Sequence, residues 1–203
     1  MRVTQIEELT KARSRVWLDD APAFVLYKGE LRRCHIEEGE ELPEETYHAI
    51  MEEVLPKRAK LRAMNLLKDR EYTTAQLRAK LRQGSYPEQI IEEALEYVAS
   101  FHYTDDLRYA VQYIFCHESN RSRRRIEQDL QGKGVSAETI QAAWDAWEEQ
   151  GGSQDEMGMM RRLLEKRNYN PDTADYAERQ KQAAFLLRRG FSGESVRRVL
   201  REY

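Results

Sequence analysis

The chain has 203 residues, of which 40% are hydrophobic and 34% are charged. This charged share exceeds the roughly 25% of an average globular domain, so we expect thin helical layers rather than one thick core. The 33 basic and 36 acidic side chains give a net charge of −3, which excludes the uniformly basic surface of a nonspecific DNA-binding protein.

Cysteine content and hydropathy indicate the compartment. The chain has two cysteines, Cys34 and Cys116, which make no disulfide framework and indicate a reducing environment. The first residues lack an apolar stretch of signal-peptide length. No run approaches the roughly 18 apolar residues that a membrane-spanning helix needs. We therefore expect a cytoplasmic protein without membrane contact.

The first 56 residues predict a small mixed structure. Two apolar runs, Val16–Leu18 and Ala23–Tyr27, are separated by the tetrapeptide Asp-Asp-Ala-Pro, which predicts a β-hairpin. A second turn is expected at Lys28–Glu30, and residues 36–55 end in an amphipathic helix. We assign residues 1–56 to an N-terminal extension made of a β-hairpin and a helix.

From residue 57 onward the pattern is helical almost throughout, and one unit recurs three times. In each copy a helix ends at a glycine, and the next helix carries an acidic residue in its first turn. A glycine in this place can take the left-handed conformation that closes a helix. Ser136 and Ser192 then stand where an N-cap belongs, whereas Tyr86 occupies that place in the first copy. The marker glycines are Gly84, Gly134 and Gly190.

A further helix precedes each glycine-centred pair, so the repeating unit has three helices. Thr104 opens one of these helices, and Ser153 with Glu156 has the spacing of a capping box at the start of another. The sequence therefore predicts a mainly α protein in which three tandem three-helix repeats form an elongated, curved array behind a small β-hairpin-containing extension. The repeats are assigned to residues 57–103, 104–150 and 151–203.

Several of these elements are typical of one bacterial family. A Tyr-any-Asp-Asp element at Tyr103–Asp106 opens a helix, and an Arg-Ile…Leu…Lys-Gly pattern runs from Arg125 to Gly134. With these features the chain resembles the RecX family of RecA regulators, over nearly its whole length and most specifically over residues 71–144. Two departures matter. The third repeat is degenerate, with Gly193 inside a helix start, which weakens residue-level assignments in that repeat. Threonine and glutamine replace the family's common serine and glutamate at positions 73 and 76, a mild change because they can still form a capping box.

The resemblance implies a noncatalytic protein that binds in the groove of the RecA–DNA filament and limits filament growth or activity. Recombination, DNA repair and the SOS response are the processes it implies. The expected partner is the RecA filament, with single- or double-stranded DNA inside it as an open second contact. We expect a monomer that needs no cofactor.

The candidate partner-binding residues are basic side chains near helix ends. The stretch NRSRRRIEQDLQGKG at 120–134 places four arginines at a helix start, where each cation costs about 0.3–1 kcal/mol against the helix dipole. A partner phosphate or carboxylate would relieve that cost, although neighbouring acids could do so as well. Counterparts in the other two repeats complete the set. The candidates are Arg121, Arg123, Arg124, Arg125, Arg78, Lys80, Arg82, Arg188, Arg189, Arg197 and Arg198.

Other chemistries are poorly supported. The Cys-His pairs at 34–35 and 116–117 lack zinc-ligand spacing, so we expect no metal site. There is no phosphate-binding loop, nucleophile elbow or HExxH motif, and we expect no enzyme. The three tryptophans are assigned to the core or to packing between units rather than to base stacking. Two alternatives stay open: a helical regulator that binds DNA directly, because three-helix units resemble helix-turn-helix modules, and a general helical scaffold for protein interactions.

Overall fold

The N-terminal residues form a three-stranded antiparallel sheet in a computed structural model that describes residues 1–202. The strands, in their order across the sheet, are β1 (Val3–Thr10), β2 (Arg13–Leu18) and β3 (Ala21–Tyr27). The predicted hairpin is confirmed as β2–β3. Asp19 and Asp20 have φ values of 48° and 63°, the left-handed backbone that a two-residue hairpin turn requires. β1 adds a third strand that its weakly alternating sequence did not identify.

A short helix replaces the turn expected at Lys28–Glu30. Helix α1 (Lys28–Arg33) begins directly after β3. The Glu30 carboxylate accepts a 2.8 Å hydrogen bond from the backbone N–H of Tyr27, which is one half of a capping box. The turn prediction was wrong. Gly29 favoured a turn, but the Glu30 carboxylate caps the backbone at the start of a helix.

A nearly continuous helical segment leads from the extension into the first repeat. Helix α2 (Glu44–Ala49) and helix α3 (Leu55–Asp69) are joined by a π-helical turn at Ile50–Val54. A π turn holds more residues than an α turn, so it changes which face of the following helix points inwards. The buried residues of α3 are Leu55, Pro56, Ala59 and Ala63.

The rest of the described chain consists of helices in sets of three. The first set is α3, α4 (Thr74–Gln83) and α5 (Glu88–Ser100); the second is α6 (Asp106–His117), α7 (Arg123–Gly132) and α8 (Ala137–Glu149); the third is α9 (Glu156–Glu165), α10 (Tyr176–Arg188) and α11 (Gly193–Glu202). This confirms a mainly α fold with three three-helix units behind a small sheet. None of the helices in residues 1–202 combines the length and the apolar character needed to cross a membrane.

The chain divides into two compact units, Met1–Asp105 and Asp106–Tyr203. In the first unit the sheet and the first repeat share one apolar core, where Val16 and Leu26 of the sheet and Leu77 of α4 are fully buried. The extension is therefore an integral part of that unit rather than a separate layer.

Within its described residues, the second unit has two apolar cores, one for each of its three-helix sets. The core of α6–α8 is built around Trp144 and Trp147, which are 1% and 3% exposed, and their rings meet edge to face at 5.3 Å. The core of α9–α11 includes Met160 and Leu186, both fully buried. The core assignment of these two tryptophans is confirmed, while Trp17 in β2 is only partly buried.

Side-chain caps begin several of the helices where the sequence indicated them. The Ser136 hydroxyl accepts a 3.1 Å hydrogen bond from the backbone N–H of Thr139, and the Ser192 hydroxyl accepts one of 3.0 Å from Ser195. Helix α9 differs, because Asp155 rather than Ser153 is its N-cap. A carboxylate one residue before the helix satisfies the free N–H groups at least as well as a more distant serine.

The helix-closing turn of the first repeat lies one residue later than predicted. Gly134 and Gly190 have φ values of 81° and 87°, as the pattern required, but Gly84 has a φ of −76°. Ser85 takes the left-handed conformation instead, with a φ of 60°. A Cβ atom on Gly84 would lie only 2.8 Å from the ring of Tyr86. Gly84 is therefore needed because its lack of a side chain lets the Tyr86 ring lie close to the backbone. The N-cap of α5 is Pro87 rather than Tyr86, which the sequence had placed there.

Candidate partner-binding site

The arginine cluster (Arg121, Arg123, Arg124 and Arg125) lies at the start of α7. Ser122 is the N-cap, and its hydroxyl accepts a 3.3 Å hydrogen bond from the backbone N–H of Arg125. Arg121 therefore precedes the helix, while the other three arginines fill its first turn. Helix α7 carries no acidic residue in that turn, so the dipole alone would disfavour the cluster.

Asp129 binds two members of the arginine cluster. Arg121 donates to Asp129 Oδ2 at 2.6 Å, and Arg125 Nε lies 3.1 Å from Asp129 Oδ1. The Arg121 guanidinium also donates to the Tyr113 hydroxyl at 2.9 Å. Burial, followed by the nearby Asp129 carboxylate, raises the pKa of Tyr113. The Asp129 side chain is 15% exposed, so this is a partly buried network that joins α6 to α7.

Arg123 links α7 to α8. Its guanidinium lies 3.0 Å from Glu127 on the same helix and 3.1 Å from Glu148, and its central carbon is 4.7 Å from the centre of the Trp144 ring. The cost of these cations at the helix start is therefore offset by acids within the same repeat. Arg124 differs, because it is exposed and forms no ion pair among the described residues.

The basic residues of the first repeat are also mostly paired. Arg78 forms a two-pronged ion pair with Glu92, at 3.0 and 2.7 Å, and this hydrogen bonding raises the pKa of Arg78. Arg82 pairs in the same way with Glu88, at 2.9 and 2.7 Å, which lowers the pKa of Glu88. Both pairs join α4 to α5. Lys80 lies apart from them and reaches only the amide oxygen of Gln83, at 3.5 Å.

In the third repeat the candidates are divided between two places. Arg189 lies half-buried with its guanidinium 3.9 Å from the centre of the Phe185 ring, and burial lowers its pKa. Arg188 is exposed at the end of α10. Arg197 and Arg198 are exposed on α11, beside a shallow depression of about 340 Å³.

A tight joint brings the arginine cluster next to the third repeat within the second compact unit. The backbone N–H of Ser122 donates to the carbonyl oxygen of Arg189 at 3.1 Å. A Cβ atom on Gly190 would lie 2.5 Å from Arg125 Cβ and 2.6 Å from Ser122 Oγ. The joint therefore brings the start of α7 and the end of α10 together, which places residues of two separate candidate groups in one area.

Sequence reasoning missed two arginines with several partners. Arg167 donates to Gln182 at 2.6 Å and lies 4.2 Å from the Phe185 ring, so that ring contacts two guanidinium groups. Arg58 on α3 pairs with Glu30 at 2.6 Å. The local pattern gave no signal for either residue, because their partners are 15 or more positions away.

Three models of RecX domains match the chain in succession. They are described as the first, second and third three-helix domains of RecX, and they match residues 59–97, 105–143 and 154–200. Together these matches cover more than half of the chain. The chain belongs to the RecX family.

Relatives named regulatory protein RecX support this membership. The protein of Trichlorobacter lovleyi is 32% identical over 143 residues, which are 68% of this chain and 91% of that protein. The protein of Caldanaerobacter subterraneus is 28% identical over 202 residues, 98% of each chain.

Two solved RecX structures share the fold. A crystal structure of regulatory protein RecX has a TM-score of 0.60 and 24% identity and covers 98% of both chains. The RecX structure from Lactobacillus salivarius has a TM-score of 0.54 and 18% identity, and covers 73% of this chain and 96% of its own. At these identities the likeness concerns the fold alone.

Proposed function

We propose that this RecX-family chain binds the RecA nucleoprotein filament in the cytoplasm and inhibits RecA recombinase and ATPase activity. The observation that best supports this proposal is the match of all three RecX domain models, in order, between residues 59 and 200. Three consecutive similar units suit a partner that repeats along a filament, because each unit can meet an equivalent subunit.

The proposed mechanism is steric and allosteric. Bound along the filament groove, the chain would contact neighbouring RecA protomers and alter subunit exchange or ATP turnover. In the proposed organisation residues 57–103, 104–150 and 151–203 supply the three contacting repeats. The extension at 1–56 has 7 basic and 13 acidic side chains, and this negative charge would steer it towards basic filament surfaces. RecA supplies the chemistry, and this chain acts as a regulator.

The eleven basic candidates remain the proposed contact set, and their pairing separates two roles. Exposed members without an ion pair among the described residues are available for phosphates or carboxylates of the partner. Members that form ion pairs within this chain fix the relative positions of the helices that carry this surface. Arg124, Arg188 and Arg197 belong to the first group. Asp129, Glu92 and Glu88 already hold most of the second group.

A RecA ATPase assay on single-stranded DNA tests the proposal. Titration of this protein at substoichiometric levels is expected to lower ATP turnover. Replacing the three free arginines together (Arg124→Glu, Arg188→Glu, Arg197→Glu) should raise the amount needed at least tenfold, with unchanged helix content. No change in ATP turnover with the unmodified protein would overturn the proposed function.

A matched control separates these contacts from net charge. Lys11, Arg32 and Lys68 are also exposed and form no ion pair among the described residues. The triple variant Lys11→Glu, Arg32→Glu, Lys68→Glu changes the net charge equally and should inhibit like the unmodified chain. Equal losses in both triple variants would assign the effect to overall charge instead. Tight binding to duplex DNA in the absence of RecA would favour a direct DNA-binding regulator. A pull-down with this protein that recovers no RecA would favour a general scaffold for protein interactions.

A further inference from the structure

A basic cavity lies between the sheet and the first repeat, inside the Met1–Asp105 unit. Its volume is about 430 Å³, within the range of about 300–1,000 Å³ that is common for ligand sites. Strands β2 and β3 form one wall, and α3, the end of α4 and the turn after it form the other. Among the residues that line it in the described chain, none is acidic and four are basic: Arg13, Arg58, Arg62 and Lys80.

Arg58 forms a fixed part of this cavity. Its side chain is 17% exposed, and it donates at 2.6 Å both to Glu30 Oε2 and to the backbone oxygen of Val25. Its guanidinium carbon lies 5.1 Å from the centre of the Tyr27 ring and 5.2 Å from that of Tyr86. Its Nε is buried without a hydrogen-bond partner among the described residues. Glu30 neutralises Arg58, so this residue orients the two rings rather than supplying free charge.

The other three cations of the cavity lack a compensating acid. Arg13 and Arg62 form no ion pair among the described residues, and the ammonium group of Lys80 reaches only a neutral amide. Like charges that share a recess repel one another, and low-dielectric walls increase the potential they create. A bound anion would remove that repulsion, and arginine geometry suits phosphate oxygens.

The tyrosines identify the kind of anion. Tyr27 is 44% exposed beside these cations, and Tyr86 is half-buried against Gly84. Single-stranded nucleic acids are bound by this combination, in which cations follow the backbone and aromatic rings stack on unpaired bases. An acidic peptide would use the cations but gain little from an exposed ring. A paired duplex would keep its bases out of reach of a recess.

We propose that this cavity binds single-stranded nucleic acid, with Arg13, Arg62 and Lys80 contacting backbone phosphates and Tyr27 stacking on one base. The site goes beyond the proposed action on RecA, because it predicts a nucleic-acid contact that the chain makes alone. Lys80 is the one residue that belongs to both proposals.

The test measures binding of a fluorescein-labelled 20-nucleotide oligo-dT to the full chain, without RecA, by fluorescence anisotropy. The double variant Arg13→Gln, Arg62→Gln should bind about tenfold more weakly. Its slope of log affinity against log salt should fall by about 1.4, because each lost phosphate contact on a single strand contributes about 0.7. The control Arg32→Gln removes an exposed cation from α1 and should bind within twofold of the unmodified chain. Equal affinity of the double variant and the control overturns the proposal.

Two further arms test the class of ligand. Tyr27→Leu should weaken oligo-dT binding several-fold without changing the salt slope, because stacking releases no counterions. Unchanged affinity of this variant overturns the stacking role. Poly-glutamate of equal charge and a 20-base-pair duplex should compete poorly, and competition as strong as that of unlabelled oligo-dT overturns the single-strand assignment. Circular dichroism of each variant shows whether the helices are intact, and RecA activity is measured separately, so each proposal can fail alone.

Discussion

Arg121 donates a 2.6 Å hydrogen bond to Asp129, eight positions further along the chain, and thereby connects the residue before the N-cap of α7 to the helix itself. Arg125 meets the other oxygen of the same carboxylate at 3.1 Å. Two positive charges at an unfavourable helix end thus share one partly buried acid.

Neutralising that acid is expected to destabilise the second compact unit. Asp129→Asn leaves Arg121 and Arg125 without their shared partner, and we expect a loss of about 1–3 kcal/mol in the free energy of unfolding. Chemical denaturation followed by circular dichroism measures it. Glu149→Gln removes an exposed acid that has no ion pair among the described residues, and should change stability by less than about 0.5 kcal/mol. Similar losses in both variants would contradict the assigned role of Asp129.

The joint between the second and third repeats depends on Gly190. Gly190→Ala must accept a φ of 87° and also place a Cβ 2.5 Å from Arg125 Cβ. Gly151→Ala has a nearly equal φ of 85° with open space around the new atom. Both variants carry the left-handed penalty of about 1 kcal/mol, and only Gly190→Ala adds the clash. Denaturant unfolding should therefore show a loss at least about 1 kcal/mol larger for Gly190→Ala. Equal losses in the free energy of unfolding would mean that the backbone at this joint moves to accommodate the new methyl group without cost.

Arg58 is expected to be important for the stability of the first compact unit. Arg58→Ala removes both hydrogen bonds and both ring contacts and leaves Glu30 without its cation, which for a mostly buried pair costs about 3–5 kcal/mol. The neighbour Lys57 is exposed, and Lys57→Ala should have little effect. Thermal and urea unfolding of both variants make the comparison, and a loss below about 1 kcal/mol for Arg58→Ala would contradict it.

Stability should fall in mild acid because of His117. Burial, assisted by the Arg121 charge, lowers the pKa of this histidine in the folded protein, and its ring meets Tyr113 edge to face at 4.2 Å. The unfolded chain, with a histidine pKa near 6.5, then binds the proton more readily than the folded one. This contribution to stability is present above that pH and is lost as the pH falls towards the folded pKa.

Urea unfolding at pH 7.5 and pH 5.5 measures the effect. The unmodified protein should lose more stability between these two values than His117→Gln, because the variant has no group to titrate at this position. The difference between the two losses isolates the histidine from the carboxylates that both proteins share. Identical losses would show that His117 titrates normally in the folded state.

Local sequence patterns predicted the helices better than the contacts between them. The predicted caps Ser136 and Ser192 make their hydrogen bonds, because a cap depends on residues three positions apart. In the first repeat Ser85 rather than Gly84 takes the left-handed conformation. The Tyr86 ring that lies close to Gly84 also contacts Arg58 of α3, a tertiary contact that no local pattern encodes.

The candidate site shows the same division between local and distant information. The arginine cluster was evident from its sequence, and so was the presence of neighbouring acids, of which Asp129 is one. The pairing of Arg123 with Glu148 was not, because the two residues are 25 positions apart. The basic cavity between the sheet and the helices was not predicted either, because Arg13 and Arg62 come together only when the strands fold onto α3.

The π-helical turn at Ile50–Val54 determines how α3 is rotated about its own axis, and so which of its side chains face the core. Each residue of an α-helix turns the chain by about 100°, so deleting one residue from this turn would rotate α3 by that amount. Ala59 would then leave the core and a charged neighbour would enter it, and Arg58 would swing away from the tyrosines. The number of residues in this five-residue turn therefore fixes the rotation of α3. The extension and the first repeat can share one core only with that number of residues between α2 and α3.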